Sequence, residues 1–394
     1  MSRQLRTLPV DAGHLDELLK ALRAALDGSG PAVRASSGGT ASPTPPGRSA
    51  ASDRAPDPIV PDDVALVVDT SGSTGAPRSV LLSSTALRAS AAATDDRLGG
   101  PAQWLLTLPA THVAGLQVLV RSILAGTDPV VSAPGGFHPE DFAADVARLT
   151  GPRRYVSLVP TQLHRLLADG GAGLAALTTF DAVLLGGAAT SADLLARARA
   201  AGVRVTTTYG MSETCGGCVY DGEPLDGVQV RLDDDGRIQL AGPVLATGYL
   251  GRPDLDTAAF VVDGGVRWLR TSDLGQVAGG RLTVLGRLDD MIVTGGVKVP
   301  PTAVERLVAE LPGIGEVCVV GVPDVEWGQA VAAVIVLTSG AMAPTLDSLR
   351  AHVARNLGSP AAPRHLVVLD RLPTRGPGKT DRRAVAVLAA ARLT

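Results

Sequence analysis

Between residues 64 and 209 the chain alternates short β-rich runs with stretches of helical period, and this alternation limits the fold more than any other feature. The runs are 64–68, 104–108, 129–132, 155–159, 182–185 and 203–208; the helical stretches include 112–125, 140–149, 161–168 and 192–201. A strand followed by a helix rejoins its sheet through a crossover, which makes the neighbouring strand parallel. A parallel α/β sheet is therefore expected. Beyond Gly216 short strands (228–232, 237–240, 266–269, 282–285) are separated by Gly- and Asp-rich turns, as in an antiparallel subdomain. From Asp289 a third style begins: helix 303–310, strands 317–320 and 332–337, helix 346–356, strand 366–369 and helix 383–391. The fold class expected is α/β: a large N-terminal domain over 59–288, mostly parallel sheets plus an antiparallel β subdomain, and a small α+β C-terminal domain over 289–394. Ahead of these, Leu15, Leu18, Leu19, Leu22 and Leu26 recur at helical spacing and predict an N-terminal helix within 1–27. Residues 28–58, mostly Gly, Ser, Ala, Pro and Thr, predict a flexible linker.

Composition narrows the partners. With 36 basic and 39 acidic residues the net charge is −3, and 45% of the chain is hydrophobic against 19% charged. That excludes a disordered chain and supplies a core for each domain. Aromatics at 3% leave no stacking platform, and the balanced charge no general pull on phosphate backbones, so no nucleic-acid partner is expected. The longest apolar runs, such as 330–337, fall short of the ~18 residues of a membrane helix, and residues 1–20 hold no signal stretch. Membrane attachment is not expected. Cys215, Cys218 and Cys318 are odd in number, which excludes a complete disulfide framework and fits the reducing cytoplasm. Cys215 and Cys218 have C-x-x-C spacing, but no second pair completes a structural zinc site.

Chemistry concentrates at Asp69-Thr70-Ser71-Gly72-Ser73-Thr74-Gly75-Ala76-Pro77-Arg78, directly after the 64–68 run. Its glycines let backbone N–H groups turn toward one point, and hydroxyls with a guanidinium add donors there, a cradle for polyphosphate. Read alone, the stretch is equally a polar Ser/Gly turn. It is not G-x-x-x-x-G-K-[ST]. Gly378-Lys379-Thr380 mimics the end of that motif, but Pro373 stands at its first glycine and fourteen residues follow Thr380, too few for the rest of an NTPase core.

Further motifs follow in order: 109–116, Gly186-Gly187-Ala188, Thr208-Tyr209-Gly210-Met211-Ser212-Glu213-Thr214, Thr271-Ser272-Asp273, Gly286-Arg287-Leu288-Asp289-Asp290, Gly295-Gly296-Val297-Lys298 and 373–379. As an ordered set they resemble the core motifs of the adenylate-forming superfamily of acyl-CoA synthetases, luciferases and peptide-synthetase adenylation domains. The resemblance spans about 64–382 and implies two half-reactions. A carboxylate first attacks the α-phosphate of ATP, giving an acyl-adenylate and pyrophosphate; a thiol then displaces AMP. The implied cofactors and substrates are ATP, Mg²⁺ and coenzyme A.

The resemblance also assigns roles. Thr70, Ser71, Gly72, Ser73, Thr74, Gly75 and Arg78 clamp the β- and γ-phosphates, and Thr70 and Glu213 are the Mg²⁺ candidates. Gly186, Gly187 and Ala188 form a wall against adenine, Tyr209 stacks on it, and Thr208, Gly210, Met211, Ser212 and Thr214 complete the nucleotide contacts. Asp273 accepts from the ribose hydroxyls, and Arg287 contacts the ribose. Asp289 is the hinge about which a mobile C-terminal domain rotates, and Gly295, Gly296 and Lys298 face the pantetheine channel. Lys379 stabilises the charge developing at the α-phosphate, and His112 orients the acyl carboxylate. Without the resemblance, Glu213 is a surface carboxylate, Tyr209 a core aromatic, His112 a core or capping histidine, and Lys379 an exposed loop residue.

Two positions depart from the superfamily pattern: Arg78 stands where most relatives carry Lys, and Thr207 where an amide usually reads adenine. The runs 111–117, 157–163 and 209–217 look most like the o-succinylbenzoate–CoA ligases of menaquinone biosynthesis in their short actinobacterial form, which implies an aromatic dicarboxylic acid as substrate. His164, Arg165 and Arg121 are candidates to pair its second carboxylate, and the Cys215–Cys218 segment to line the acyl pocket. Another aryl- or acyl-CoA ligase, a freestanding adenylation enzyme and a nucleotide-binding scaffold stay open, as does a homodimer.

Overall fold

The computed structural model describes residues 2–10, 13–36, 58–71, 77–133, 135–338, 340–375 and 379–393. Leu18, Leu22 and Leu26 are buried along helix α1 (Leu15–Leu26), as their spacing requires. What covers them was not expected at this end of the chain. Strand β1 (Ser2–Pro9) precedes the helix, and β2 (Ala32–Ser36) follows it and pairs with β1 in parallel. The expectation of a lone helix over 1–27 and a linker from 28 is thus corrected. Ala32 and Val33 are wholly buried, because β2 is an interior strand whose ladder bonds run to both neighbours. Residues 37–57, the remainder of the expected linker, lie outside the described residues. Strand β3 (Ile59–Pro61) pairs antiparallel with β1, β4 (Val64–Ser71) parallel with β2, and β5 (Pro77–Ser83) antiparallel with β4. This first sheet is therefore mixed rather than mostly parallel: the β4–β5 link is too short for a crossover.

Helix α2 (Ser84–Leu98) starts at Ser83, whose hydroxyl accepts from the Ala86 N–H, and ends at Gly99 in the left-handed conformation, φ 90°. The expected parallel sheet follows. Strand β6 (Gln103–Leu106), helix α3 (Val113–Ala125), β7 (Val130–Val131), α4 (Pro139–Ala147), β8 (Arg154–Leu158), α5 (Pro160–Asp169), α6 (Ala172–Leu177), β9 (Ala182–Leu185), α7 (Ala192–Ala200) and β10 (Val205–Met211) give the strand order β7-β6-β8-β9-β10, all parallel. Strands β11 (Gly216–Tyr220) and β12 (Glu223–Pro224) extend it antiparallel. Successive β9 side chains alternate faces: Ala182 and Leu184 join the core shared with α1, α2 and α3, while Val183 and Leu185 join the core under α4, α5 and α7. Helices α1 to α3 are in this way packed between the two sheets.

Next come β13 (Gln229–Leu232), β14 (Arg237–Ala241), β15 (Gly248–Tyr249), helix α8 (Pro253–Ala259), β16 (Phe260–Asp263), β17 (Val266–Ala278) and β18 (Arg281–Arg287). All but β15 form the expected antiparallel sheet; β15 crosses to the first sheet and pairs with β5. The C-terminal unit comprises β19 (Ile292–Thr294), β20 (Val297–Val299), α9 (Pro301–Ala309), β21 (Ile314–Asp324), β22 (Gly328–Leu337), α10 (Leu346–Leu357), β23 (His365–Val368), β24 (Thr374–Arg375), β25 (Lys379–Thr380) and α11 (Arg382–Leu393). Val331, Ala333 and Ile335 of β22 face α9 and α10, while Ala330, Ala332 and Val334 face α11, so this sheet is covered on both sides. The architecture is a large N-terminal α/β domain followed by a small α+β domain. No helix among the described residues is long and apolar enough to cross a membrane.

Candidate active site

The carboxyl ends of β6, β8, β9 and β10 open on one side of the parallel sheet, where an α/β fold leaves a crevice for ligands. Gly186 leaves β9 there, and a Cβ on it would lie 2.3 Å from Thr208 Oγ1 on the next strand, so only glycine fits. Gly187 has φ 83°, and with Ala188 it is exposed at the strand end. A Cβ on Gly210 would lie 2.0 Å from the Gly216 carbonyl, because β10 and β11 shift register between Tyr209 and Gly210 and their backbones close up.

That closure leads into a single 3₁₀ turn, Ser212–Thr214, which aims Glu213. The Thr214 hydroxyl accepts from the Met211 N–H at 2.9 Å and donates to the Gly216 carbonyl at 2.7 Å. Thr214 is fully buried and props the turn instead of facing the crevice. Cys215 follows in the left-handed conformation, φ 53°, and its carbonyl accepts from Gln117 Nε2 at 2.6 Å. Cys215 and Cys218 have no exposure and belong to the core with α2 and α3, which corrects the expectation that they line an acyl pocket. Burial pushes both thiols up, Cys218 to about 12.

Glu213 has a partner that sequence reasoning missed. The Tyr249 phenol on β15 donates to Glu213 Oε1 at 2.9 Å, and the Ala246 N–H donates to the Glu213 carbonyl at 2.8 Å. The Arg78 guanidinium lies beside the same phenol. Arg78 and Thr70 are register partners at the end of the β4–β5 hairpin, where the Thr70 hydroxyl donates to the Arg78 carbonyl at 3.3 Å. The hairpin tip, with Gly72, Ser73, Thr74 and Gly75, lies outside the described residues, as does the Ser71 side chain. The fold therefore unites Thr70, Arg78 and Glu213. Among the described residues Glu213 Oε2 makes no hydrogen bond or ion pair, and no cluster of three acidic, His or Cys ligands exists. Such oxygens suit a Mg²⁺ shared with phosphates rather than one caged by protein.

A second cluster surrounds Asp273 on β17, which is 7% exposed. Its Oδ2 accepts from the Tyr209 phenol at 2.8 Å and its Oδ1 from Arg287 Nη1 at 3.3 Å, while Arg287 Nη2 donates to Asp289 at 3.0 Å. Burial pushes the Asp273 carboxyl above its ordinary range, against the pull of Arg287 and the Tyr209 hydrogen bond; burial and Asp273 together push the Tyr209 phenol up. Both oxygens expected to meet ribose thus already hold a protein donor, leaving their remaining lone pairs for a sugar. Thr207, beside the expected adenine wall, gives its N–H and hydroxyl to Asp221 Oδ1 at 2.9 and 2.8 Å.

His112 is the half-buried N-cap of α3. Arg121 lies nine residues on, about 13 Å along the helix axis. It is 3% exposed, donates to the Thr94 hydroxyl at 3.1 Å and sits 5.0 Å from the Trp104 ring centroid, which places it in the core rather than in an acid pocket. His164 and Arg165 line an open cavity of about 560 Å³ on the α4–α5 flank with Phe137 and His138. In the C-terminal unit Gly295 and Gly296, at φ 55° and 80°, are the two-residue turn joining β19 to β20. A Cβ on Gly295 would strike the Trp327 ring at 2.5 Å, so this glycine is explained by packing; Lys298 is exposed beside it. Lys379 starts β25, paired with Arg375, and residues 376–378 and the Lys379 side chain lie outside what is described. Sequence reasoning also missed Arg382. It donates to both oxygens of Glu305 at 2.6 and 2.8 Å and to the Val319 carbonyl at 2.8 Å, with Asp290 at 3.4 Å.

This arrangement belongs to a known class. Residues 11–265 match the AMP-binding enzyme family and residues 303–379 the AMP-binding enzyme C-terminal domain, and the chain belongs to that family. It is 47% identical over 386 residues, 97% of both chains, to the protein of Mycobacterium tuberculosis (strain CDC 1551 / Oshkosh) named "Probable 2-succinylbenzoate--CoA ligase". It is 31% identical to the 2-succinylbenzoate–CoA ligase of Enterococcus faecalis (strain ATCC 700802 / V583), over 81% of this chain and 68% of that one. Among solved structures it resembles the o-succinylbenzoate CoA synthetase of Bacillus subtilis. In its complex with the acyl-adenylate intermediate OSB-AMP the TM-score is 0.68 at 28% identity, over 82% of this chain and 69% of that one. In its complex with ATP and magnesium ion the TM-score is 0.67 at 28% identity, over 81% and 69%.

Proposed function

We propose that this protein is an ATP-dependent acid–CoA ligase, AMP-forming, that makes o-succinylbenzoyl-CoA for menaquinone biosynthesis through an acyl-adenylate. The observation that carries the reading is the convergence of Thr70, Arg78 and Glu213 at one hairpin end, with Tyr209, Asp273 and Arg287 joined by hydrogen bonds across two sheets, in a chain 47% identical over 97% of its length to one carrying that name.

In the first half-reaction a carboxylate oxygen of the acid bonds to the α-phosphorus of ATP while the bond to the β-phosphate bridging oxygen breaks and pyrophosphate leaves. Arg78 and the hairpin tip hold the departing phosphates, and Asp273 with Tyr209 and Arg287 fixes the nucleoside. Glu213 and Thr70 are the residues to hold Mg²⁺, which offsets phosphate charge when bound. Lys379 supplies the cation at the pentavalent phosphorus, and His112 orients the acid. In the second half-reaction the CoA sulfur bonds to the acyl carbon, the bond to AMP breaks, and the thiol proton passes to solvent. Asp289, tied to Arg287, is the hinge between the two, and Gly295, Gly296 and Lys298 border the thiol's path. The free cysteines suit a cytoplasmic enzyme.

Pyrophosphate and AMP release with ATP, Mg²⁺ and CoA, measured against o-succinylbenzoate, benzoate, succinate and medium-chain fatty acids, tests the reading. Turnover confined to o-succinylbenzoate is expected. Turnover with another acid alone removes the pathway, and silence across the panel removes the activity.

A further inference from the structure

We propose that Tyr249 is a positioning residue for metal-assisted nucleotide binding: its phenol fixes the Glu213 carboxylate so that one oxygen stays free for the ion. This rests on the reading above for the role of Glu213. The geometry has three parts. First, the phenol donates to Oε1 at 2.9 Å, while Oε2 makes no hydrogen bond or ion pair among the described residues. One oxygen is engaged in holding the side chain, and the other has no partner among the described residues. Second, the turn that bears Glu213 is held from the same segment that bears Tyr249, by the Ala246 N–H to the Glu213 carbonyl at 2.8 Å. Backbone and side chain of Glu213 are thus located by one piece of chain.

Third, that piece is itself braced on every side. The Tyr249 N–H donates to Asp256 Oδ1 at 2.7 Å, the Thr247 N–H to the Leu81 carbonyl at 2.8 Å, and the Leu250 N–H to the Ser79 carbonyl at 2.9 Å. Arg267 donates to the Ala246 and Thr247 carbonyls at 2.7 and 2.9 Å and stacks on Phe260, its guanidinium 3.9 Å from the ring centroid. Phe260 in turn packs against the Tyr249 ring at 6.0 Å. A phenol needed only for packing requires no donor aimed at a carboxylate. A carboxylate held in one rotamer meets its ion without first losing side-chain freedom, which is the advantage of preorganisation.

The test is Tyr249→Phe, which keeps the ring and removes the hydroxyl. ATP binding is measured by calorimetry with and without Mg²⁺ in the absence of any acid, and pyrophosphate release is measured across a Mg²⁺ titration. Loss of one hydrogen bond to a charged group predicts about a tenfold higher Mg²⁺ concentration for half-maximal effect in both assays. ATP affinity without Mg²⁺, the KM for the acid and thioester formation from supplied acyl-adenylate stay at wild-type values. In a Glu213→Gln background the same change has no further effect on the Mg²⁺ titration. An unchanged Mg²⁺ titration overturns the proposal. So does an equal loss in both half-reactions with a lowered Tm, the mark of a packing residue. A wild-type protein that binds ATP with Mg²⁺ but turns over no o-succinylbenzoate removes the functional reading and leaves the Tyr249 test standing.

Discussion

The hairpins β4–β5 and β24–β25, which on the proposed function both serve the phosphates of ATP, are anchored in opposite ways. The first pairs along seven residues a side and is flanked by β2 and β15 within a six-stranded sheet, its own Val80 and Leu82 fully buried. Among the described residues the second pairs only Thr374 with Thr380 and Arg375 with Lys379, and no further strand joins it. Its attachment is a charge: Arg382, two residues past the ladder, grips Glu305 and the Val319 carbonyl in the C-terminal unit. A clamp that must hold pyrophosphate is best immobile. On the proposed function, a cation needed in one half-reaction and unwanted in the next is best carried on a separate unit that can bring it up and take it away.

This contrast can be broken or sharpened by substitution. The largest effect expected is that of Lys379→Ala: adenylation falls by about 10³-fold or more, as for loss of a group that meets charge only in the transition state, while thioester formation from supplied acyl-adenylate is nearly unchanged. Comparing pyrophosphate release with thioester yield measures this, and equal losses would erase the distinction between the hairpins. Leu82→Ala, within the first hairpin, should cost about 3 kcal/mol through the cavity it leaves, read as a drop in the urea midpoint of the large domain. Glu305→Leu strands Arg382 and should cost the C-terminal unit about 2–3 kcal/mol, less than a fully buried pair because Arg382 keeps some exposure. Its signature is an earlier, separate unfolding transition with the main one unmoved. Smallest is Arg78→Lys, which keeps the charge but not the fork and should change the pyrophosphate inhibition constant a few-fold, with Tm unaltered.

What the sequence made legible depended on how local the cause was. The parallel sheet was legible from β6 to β10, where β-rich runs alternate with helical period, and 182–185 matches β9 to the residue; the 64–68 run, expected in the same sheet, belongs instead to the first, mixed sheet. Strands β1 and β2 escaped. β1 has Leu5 and Leu8 as its buried leucines among Ser, Arg, Gln and Thr, and β2 is Ala-Val-Arg-Ala-Ser inside a run of linker composition. Neither is a strand by propensity; they become strands by pairing with each other, β1 also with β3 and β2 also with β4, a tertiary effect that no window can see. The site divides along the same line. Thr70, Glu213 and Asp273 could be proposed from sequence because they stand in dense local motifs. Tyr249 and Arg382 were missed because what gives them meaning, Glu213 and Glu305, lies 36 and 77 residues away in sequence.

Strand β15 has one more consequence. An unpaired outer strand offers a row of free N–H and C=O groups to any other chain, the usual start of edge-to-edge aggregation. β15 occupies that position beside β5 with just two residues, Gly248 and Tyr249. At the opposite edge β3 is three residues long and ends in Pro61, which has no N–H to offer. The sheet that holds the β4–β5 hairpin is therefore partly covered at one border by the segment whose Tyr249 phenol hydrogen-bonds Glu213. Loosening that segment should expose a sticky β-edge and lower solubility as well as activity.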